Sequence, residues 1–91
     1  MSQAVAGTVR IRVLFFASLR ELTGLSEQAV AVAAPATVQQ LLNELQRLHP
    51  ELDFSSVFSS VKVAVNQELV TETYPLSTGD DVALLPPVTG G

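Results

Sequence analysis

Only one stretch of this 91-residue chain carries a clear helical repeat, and runs with the two-residue alternation of strands flank it on both sides. After Pro35-Ala36, Thr37 and Gln40 have the spacing of a capping box. Val38, Leu41, Leu42, Leu45 and Leu48 then recur at helical spacing and form one apolar stripe. A lone amphipathic helix has to bury its stripe on something, and with no second helix of comparable strength that cover is a sheet. Pro50 ends the helix.

The strands to build that sheet are legible. Val9 to Phe16 places Val9, Ile11, Val13 and Phe15 on one face and Arg10 and Arg12 on the other. In its second half Leu14 and Phe16 follow the arginines at period two, so the outer face turns apolar and calls for a cover or a partner. Ser18 to Leu22 reads as one or two helical turns ended by Gly24. Glu27 to Ala33 is a second strand, packed through Ala29, Val30 and Val32. Val61 to Val65 and Glu68 to Val70 are strands around an Asn66-Gln67 turn, and Ser77-Thr78-Gly79-Asp80 is the last turn before a final strand, Asp81 to Leu85. Pro86-Pro87 removes two N–H donors, ends ladder pairing and holds the tail extended. The order strand, strand, helix, strand, strand, strand gives an α+β roll: a mixed sheet of four to five strands with the helix across one face. The expected organisation is a leader over 1–8, one folded domain over 9–86 and an extended tail over 87–91.

Composition narrows the function classes. The absence of cysteine removes disulfides, thiolate metal sites and a cysteine nucleophile. Hydrophobic residues at 47% against charged residues at 15% leave too little charge to cover so small a domain, which points to a partner surface. Five basic residues against nine acidic ones, net −4, offer no basic stripe to displace phosphate counterions, so nucleic acid is not an expected partner. The apolar runs are too short to span a bilayer and the first residues lack a signal-peptide pattern. No membrane association and a cytoplasmic location are therefore expected.

The side chains offer little chemistry. His49, the single histidine, falls in the last helical turn, where its partial charge suits the helix dipole, and reads as structural. Asp80-Asp81 are adjacent on extended chain and point apart, so they read as a solvated turn and not as a carboxylate pair or metal site. Ser55, Ser56, Ser59 and Ser60 have no histidine in a pairing pattern, and Gly24 stands alone, without a phosphate-cradling loop. No catalytic side chain is expected, and no bound cofactor or metal. There remains the ending Gly90-Gly91. At average glycine usage two such residues end roughly half a percent of chains by chance. A diglycine puts the α-carboxylate on a thread without side chains that can enter a channel. That carboxylate is a poor electrophile until another enzyme activates it. Taken alone, the pair is also compatible with an end that has no role.

Val13-Leu14-Phe15-Phe16-Ala17 followed by Arg20-Glu21-Leu22-Thr23-Gly24, then Ala64-Val65-Asn66-Gln67, Pro75-Leu76, Gly79-Asp80-Asp81-Val82 and Pro86-Pro87-Val88-Thr89-Gly90-Gly91 resembles the small subunits of molybdopterin synthase, the MoaD family. The likeness runs from about Arg10 to Gly91, and the double-proline ending is its most specific part. This chain has Leu84-Leu85 where some relatives carry a phenylalanine pair before the prolines, which changes size and not polarity. The resemblance implies a ubiquitin-like β-grasp fold and a sulfur carrier with no catalytic side chains of its own. In that scheme an adenylating enzyme related to ubiquitin activators uses ATP to make an acyl adenylate on Gly91, and a sulfurtransferase system replaces it with a thiocarboxylate. The tail Pro86, Pro87, Val88, Thr89 and Gly90 then enters the large synthase subunit, within a heterotetramer. There the sulfur passes to cyclic pyranopterin monophosphate in molybdenum cofactor biosynthesis. Phe16, Leu69 and Leu85 are expected to form the apolar surface that docks the large subunit. Two other carriers of such tails compete with this reading: a sulfur carrier for another pathway such as thiamine synthesis, and a ubiquitin-like protein modifier.

Overall fold

The computed structural model describes residues 7–53 and 60–86. Strand β1 (Thr8–Phe15) is followed by α1 (Ser18–Thr23), β2 (Glu27–Ala33), β3 (Ala36–Thr37), α2 (Val38–Leu48), β4 (Lys62–Val65), β5 (Glu68–Val70), β6 (Pro75–Leu76) and β7 (Asp81–Leu85). Five of the strands form one mixed sheet in the order β2-β1-β7-β4-β5, and β3 pairs with β6 in a separate two-stranded ribbon. The first and last strands lie side by side and parallel in the interior of the sheet, with Val13 opposite Val82 and Phe15 opposite Leu84. All other pairings are antiparallel.

The alternation read from the sequence decides which face is filled. Val9, Ile11, Val13 and Phe15 of β1, Val30 and Val32 of β2, Val63 and Val65 of β4, and Val82 and Leu84 of β7 are all buried on one face. Helix α2 lies on this face and contributes Val38, Leu41, Leu42 and Leu45. The stripe stops there. Leu48, expected to continue it, is 38% exposed, because α2 ends at that residue and His49 already has non-helical geometry. Ala29, expected to pack inward, is exposed, since the buried residues of β2 are Val30 and Val32 and it lies out of phase with them.

The helix is anchored at both ends. Thr37 Oγ1 accepts from the Gln40 N–H at 3.3 Å while Gln40 Oε1 accepts from the Thr37 N–H at 2.9 Å, which completes the capping box. The next N–H donors, Val38 and Gln39, reach the carbonyls of Tyr74 and Glu72 at 3.0 and 2.9 Å, so the loop before β6 satisfies orphan groups of the first turn. At the other end His49 is buried, and its Nε2 lies 2.8 Å from Gln28 Oε1 on β2. Its structural role is thus a side-chain bridge from the helix end to the sheet, beyond the dipole contact. On the outer side of α2, Arg47 grips Glu44 in two hydrogen bonds. The guanidinium holds the Glu44 carboxyl below its usual range and is itself held more firmly protonated.

The turns follow their residues. Gly24 caps α1 in left-handed geometry at φ 76°, and Gly79 turns the chain into β7 at φ 97°. Asn66 and Gln67 both have positive φ, 50° and 75°, the geometry of a tight hairpin turn. Four boundaries differ by one residue from the sequence reading: β1 begins at Thr8 and ends at Phe15, α1 ends at Thr23, and β4 begins at Lys62.

Leu45 has no solvent exposure, so Leu45→Ala should cost about 2–5 kcal/mol of unfolding free energy in urea titration. Removing the exposed side chain of Leu48 in the same way should cost well under about 1 kcal/mol.

Candidate functional site

Among the described residues the sheet carries its helix on one face only, and the opposite face has its own order. Reading across the paired strands, Glu27 on β2 is opposite Leu14 on β1, Leu14 opposite Ala83 on β7, Ala83 opposite Ala64 on β4, and Ala64 opposite Leu69 on β5. Four of these five positions are apolar. Leu85 of β7 lies one alternation further along, opposite Lys62 of β4. Phe16 follows Phe15, whose partner is Leu84, and so comes alongside Leu85 in the parallel register. Phe16 is 44% exposed and Leu69 68%, while Leu14, Ala83 and Leu85 are half-buried.

Phe16, Leu69 and Leu85 therefore all lie on the helix-free face. Leu69 is separated from Leu85 by β4, and Ala64 and Ala83 complete the apolar surface between them. The sequence signal for Leu14 was its period-two step from Arg12. Ala64 and Ala83 carried no comparable signal, because alanine is equally at home on either face. Ala64 is buried on the outer side of the sheet, with no helix above it among the described residues.

Polar residues frame this surface. Arg10 and Arg12 continue the outer face of β1 beyond Leu14, and Arg12 Nη2 lies 3.3 Å from Glu27 Oε1 in an exposed ion pair. At that end the face is closed by a hydrogen-bonded knot. Asp80 accepts from Asn66 Nδ2 at 3.0 Å through one oxygen and from the Ser77 N–H at 2.9 Å through the other. The Asp81 N–H donates to Asn66 Oδ1 at 3.0 Å. Asp80-Asp81 thus serve the turns that lead into β7, as the sequence suggested. Among the described residues no three His, Asp or Glu side chains gather as ligands for a metal ion, and no helix is long and apolar enough to cross a membrane.

Phe16 is fixed by its neighbour. Ala17 has φ 50° and ψ −124°, a conformation costly for a residue with a Cβ, and the carbonyls of Phe16 and Ala17 accept from Leu19, Arg20 and Glu21 as α1 begins. This abrupt bend directs the chain away from the sheet immediately after Phe16. Pro86, the first residue after β7, is half-buried. Pro87, Val88, Thr89, Gly90 and Gly91 lie outside the described residues, as do Ser55, Ser56 and Ser59 and most of the expected leader.

A one-sided mixed sheet with the first and last strands parallel and a single helix across it is the β-grasp architecture of ubiquitin-like proteins. Comparison with known proteins places the chain within that class. The ThiS family model matches residues 13–91. The molybdopterin synthase sulfur carrier subunit of Escherichia coli (strain K12) is 42% identical over 81 residues, covering 89% of this chain and 99% of that protein. Among solved structures, SAMP1 from Haloferax volcanii, a small archaeal modifier protein, superposes with a TM-score of 0.80 at 32% identity, over 90% of this chain and 99% of that one. A chain from the complex of subunits 1 and 2 of the molybdopterin-converting factor of Helicobacter pylori matches at a TM-score of 0.53 and 27% identity, over 91% of this chain and 100% of that one. The chain belongs to the ThiS family of ubiquitin-like sulfur carriers, in the group of the molybdopterin synthase sulfur carrier subunits.

The inward phase of Leu84 on β7 and the outward phase of Leu69 on β5 are open to a direct check by unfolding. Leu84→Ala should cost about 2–5 kcal/mol, whereas Leu69→Glu should change stability by less than about 0.5 kcal/mol. Ala17→Gly should raise the unfolding free energy by up to about 1.5 kcal/mol. It relieves about 1–2 kcal/mol of left-handed strain and gives back about 0.5–1 kcal/mol in added freedom of the unfolded chain.

Proposed function

We propose that this chain is the sulfur-carrying small subunit of molybdopterin synthase and that Gly91 is its chemical centre. The observation that carries the reading is the course of β7. That strand contributes Ala83 and Leu85 to the helix-free apolar face and is held between β1 and β4, and its next residue is Pro86, from which the sequence runs to the diglycine. A docking surface and an activatable carboxylate are thereby mounted on one rigid strand.

The chemistry needs no side chain from this protein. A partner adenylating enzyme transfers AMP from ATP to a Gly91 carboxylate oxygen and releases pyrophosphate. A persulfide sulfur supplied by a sulfurtransferase system then attacks the acyl carbon and expels AMP, and a second thiol attacks the donor's sulfur in the resulting acyl disulfide, leaving with it as a disulfide and releasing the thiocarboxylate. In the large subunit that sulfur attacks the pterin precursor, cyclic pyranopterin monophosphate, and hydrolysis of the acyl link regenerates the Gly91 carboxylate. ATP is the adenylating enzyme's substrate, and this chain holds no cofactor. Its own contribution is position: Phe16, Leu69 and Leu85, together with Leu14, Ala64 and Ala83, seat the large subunit, and Pro86 to Gly90 deliver the terminus. The same surface suits the adenylating enzyme, which has to hold the same tail. The assembled synthase is expected to be a heterotetramer acting in the cytoplasm.

The likeness to SAMP1 gives a second reading, in which the activated Gly91 is passed to lysines of target proteins. Activation is common to both. The outcomes differ, as an oxygen-to-sulfur mass shift on the C-terminal peptide or as an isopeptide-linked conjugate. Lys62 is the single lysine of this chain, so self-linked chains have almost no acceptor.

Three variants test the assignment with purified adenylating enzyme, sulfur donor and large subunit. Leu85→Glu should abolish large-subunit binding by titration calorimetry while the protein remains folded. One alanine added after Gly91 moves the carboxylate by roughly 3.5 Å and should stop thiocarboxylate formation, since a misplacement of about 1 Å can cost a hundredfold in rate. Gly90→Val should slow tail entry, because a β-branched side chain widens and stiffens the thread. Normal dithiolene synthesis by the alanine-extended protein, shown by mass to be unprocessed, would overturn the terminal-sulfur mechanism.

A further inference from the structure

The sheet has two outer strands, and they are finished very differently. β5 has three residues, Glu68–Val70, and its short length limits what can add to it. β2 has seven, Glu27–Ala33, pairs only with β1 among the described residues, and contains no proline, glycine or central charge. Its hydrogen-bonding phase follows from the contacts that bracket it: the Phe15 N–H donates to the Ser26 carbonyl at 2.9 Å and the Ala34 N–H to the Gly7 carbonyl at 3.0 Å. By antiparallel alternation Gln28, Val30 and Val32 spend their main-chain groups on β1. Glu27, Ala29, Ala31 and Ala33 therefore turn their N–H and C=O groups outward, and no hydrogen bond to them is found among the described residues.

The two polar side chains of β2 are drawn away from this edge. Glu27 pairs with Arg12 across β1, and Gln28 is held by His49 at the end of α2. The side chains on the outward-bonding residues after Glu27 are all methyl groups, and they are exposed. This edge is also self-complementary. Placed antiparallel to itself about Val30, it sets Ala29 opposite Ala31 of the other copy and Glu27 opposite Ala33, so all four outward residues find partners and no like charges meet. Shifting the centre to Ala31 sets Glu27 opposite Pro35, which has no N–H to donate.

We propose that a second copy of this chain adds to β2 in that register and continues the five-stranded sheet across a two-fold axis. The occupant is another copy because the edge offers main-chain groups and methyls in a pattern that matches itself, and nothing on it selects a charged or bulky partner strand. Seven residues bury little surface, so the pairing is weak and reversible and belongs to high protein concentration. It uses an edge that Phe16 and Leu85 do not occupy, so dimer formation leaves the proposed docking surface open.

The test is sedimentation equilibrium of the full chain from micromolar to millimolar concentration, with amide hydrogen exchange at both limits. Average mass should rise toward twice the monomer value. Exchange at Ala29, Ala31 and Ala33 should slow with concentration, while Val30 and Val32, already bonded to β1, stay unchanged. The double variant A29E with A31E puts each introduced carboxylate beside an arginine of its own β1, Arg12 or Arg10, and so keeps the fold. Across the two-fold axis the introduced carboxylates meet in two like-charged pairs, and association should weaken about 2- to 30-fold. A29E with A31K should strengthen it. A protein that stays monomeric at millimolar concentration overturns the proposal. So does a dimer that the A29E/A31E variant leaves intact, or one whose formation protects Val30 and Val32 and spares the alanines.

Discussion

The parallel pairing of the first strand with the last holds this molecule together. β1 and β7 are separated by almost the whole chain, yet Val13 meets Val82 and Phe15 meets Leu84, and each of those side chains is essentially without solvent exposure. Parallel neighbours cannot be joined by a tight turn, so everything between them has to serve as a crossover. That requirement is why α2 lies across the filled face, why β4 and β5 form a hairpin on the far side of β7, and why the knot of Asn66, Ser77 and Asp80 is needed where the chain re-enters the sheet. A contact of such sequence separation is intrinsically slow to form, because its loop-closure entropy is spent before any burial rewards it. Once formed, it makes the C-terminal strand one of the most deeply embedded parts of the domain.

A sheet with a helix on one face alone leaves the other face to be explained, and here physics gives two kinds of surface on one plane. Toward the Asp80 end the outer positions of β1 are Arg10 and Arg12, which solvent accepts. Toward the Pro86 end they become Leu14 and Phe16, joined by Ala83 and Leu85 on β7. The apolar surplus that the composition showed is thus partly spent at one end of one face. Scattered exposed leucines need no special account, but a row of apolar positions running through register partners on four strands does.

How much of this could be read in advance depends on whether a residue's role was set locally. The alternation of β1 and the spacing from Thr37 to Leu45 are dictated by burial on one face, so the strand, the capping box and the helix core were legible. The turn at Asn66-Gln67 and the caps at Gly24 and Gly79 were legible for the same reason, because positive φ selects residue types. The ribbon of β3 and β6 was not, since two residues carry no period and the pairing is fixed only when α2 is in place. Leu48 misled because it keeps the spacing of the stripe but is the last residue of α2 and exposed. His49 was placed correctly at a helix end, but its partner Gln28 lies on a strand twenty-one residues earlier, and nothing local announces that bridge. For the docking face the large side chains Phe16, Leu69 and Leu85 carried a signal, and the small ones that join them did not.

The division of labour between the last strand and the tail beyond it explains why such a domain suits the delivery of a terminus. Chemistry at a carboxylate tolerates misplacement of well under an ångström or so before rate is lost, and precision of that order comes from elements locked by packing, not from loops. Leu84 is locked in that sense, with β1 on one side, β4 on the other and α2 beneath, while the neighbouring Leu85 faces outward. A partner that grips the outer face through Leu85 and Phe16 therefore registers against the same backbone that leads to Pro86. In the sequence two prolines, Pro86 and Pro87, follow the strand, each with a ring that restricts φ, and the last two residues carry no side chains. The sequence thus places a proline pair and then the glycines after a packed strand. Reversing that order, with glycines at the sheet and bulk at the terminus, would preserve the composition and, under the proposed mechanism, lose both the aim of the tail and its access to a narrow site.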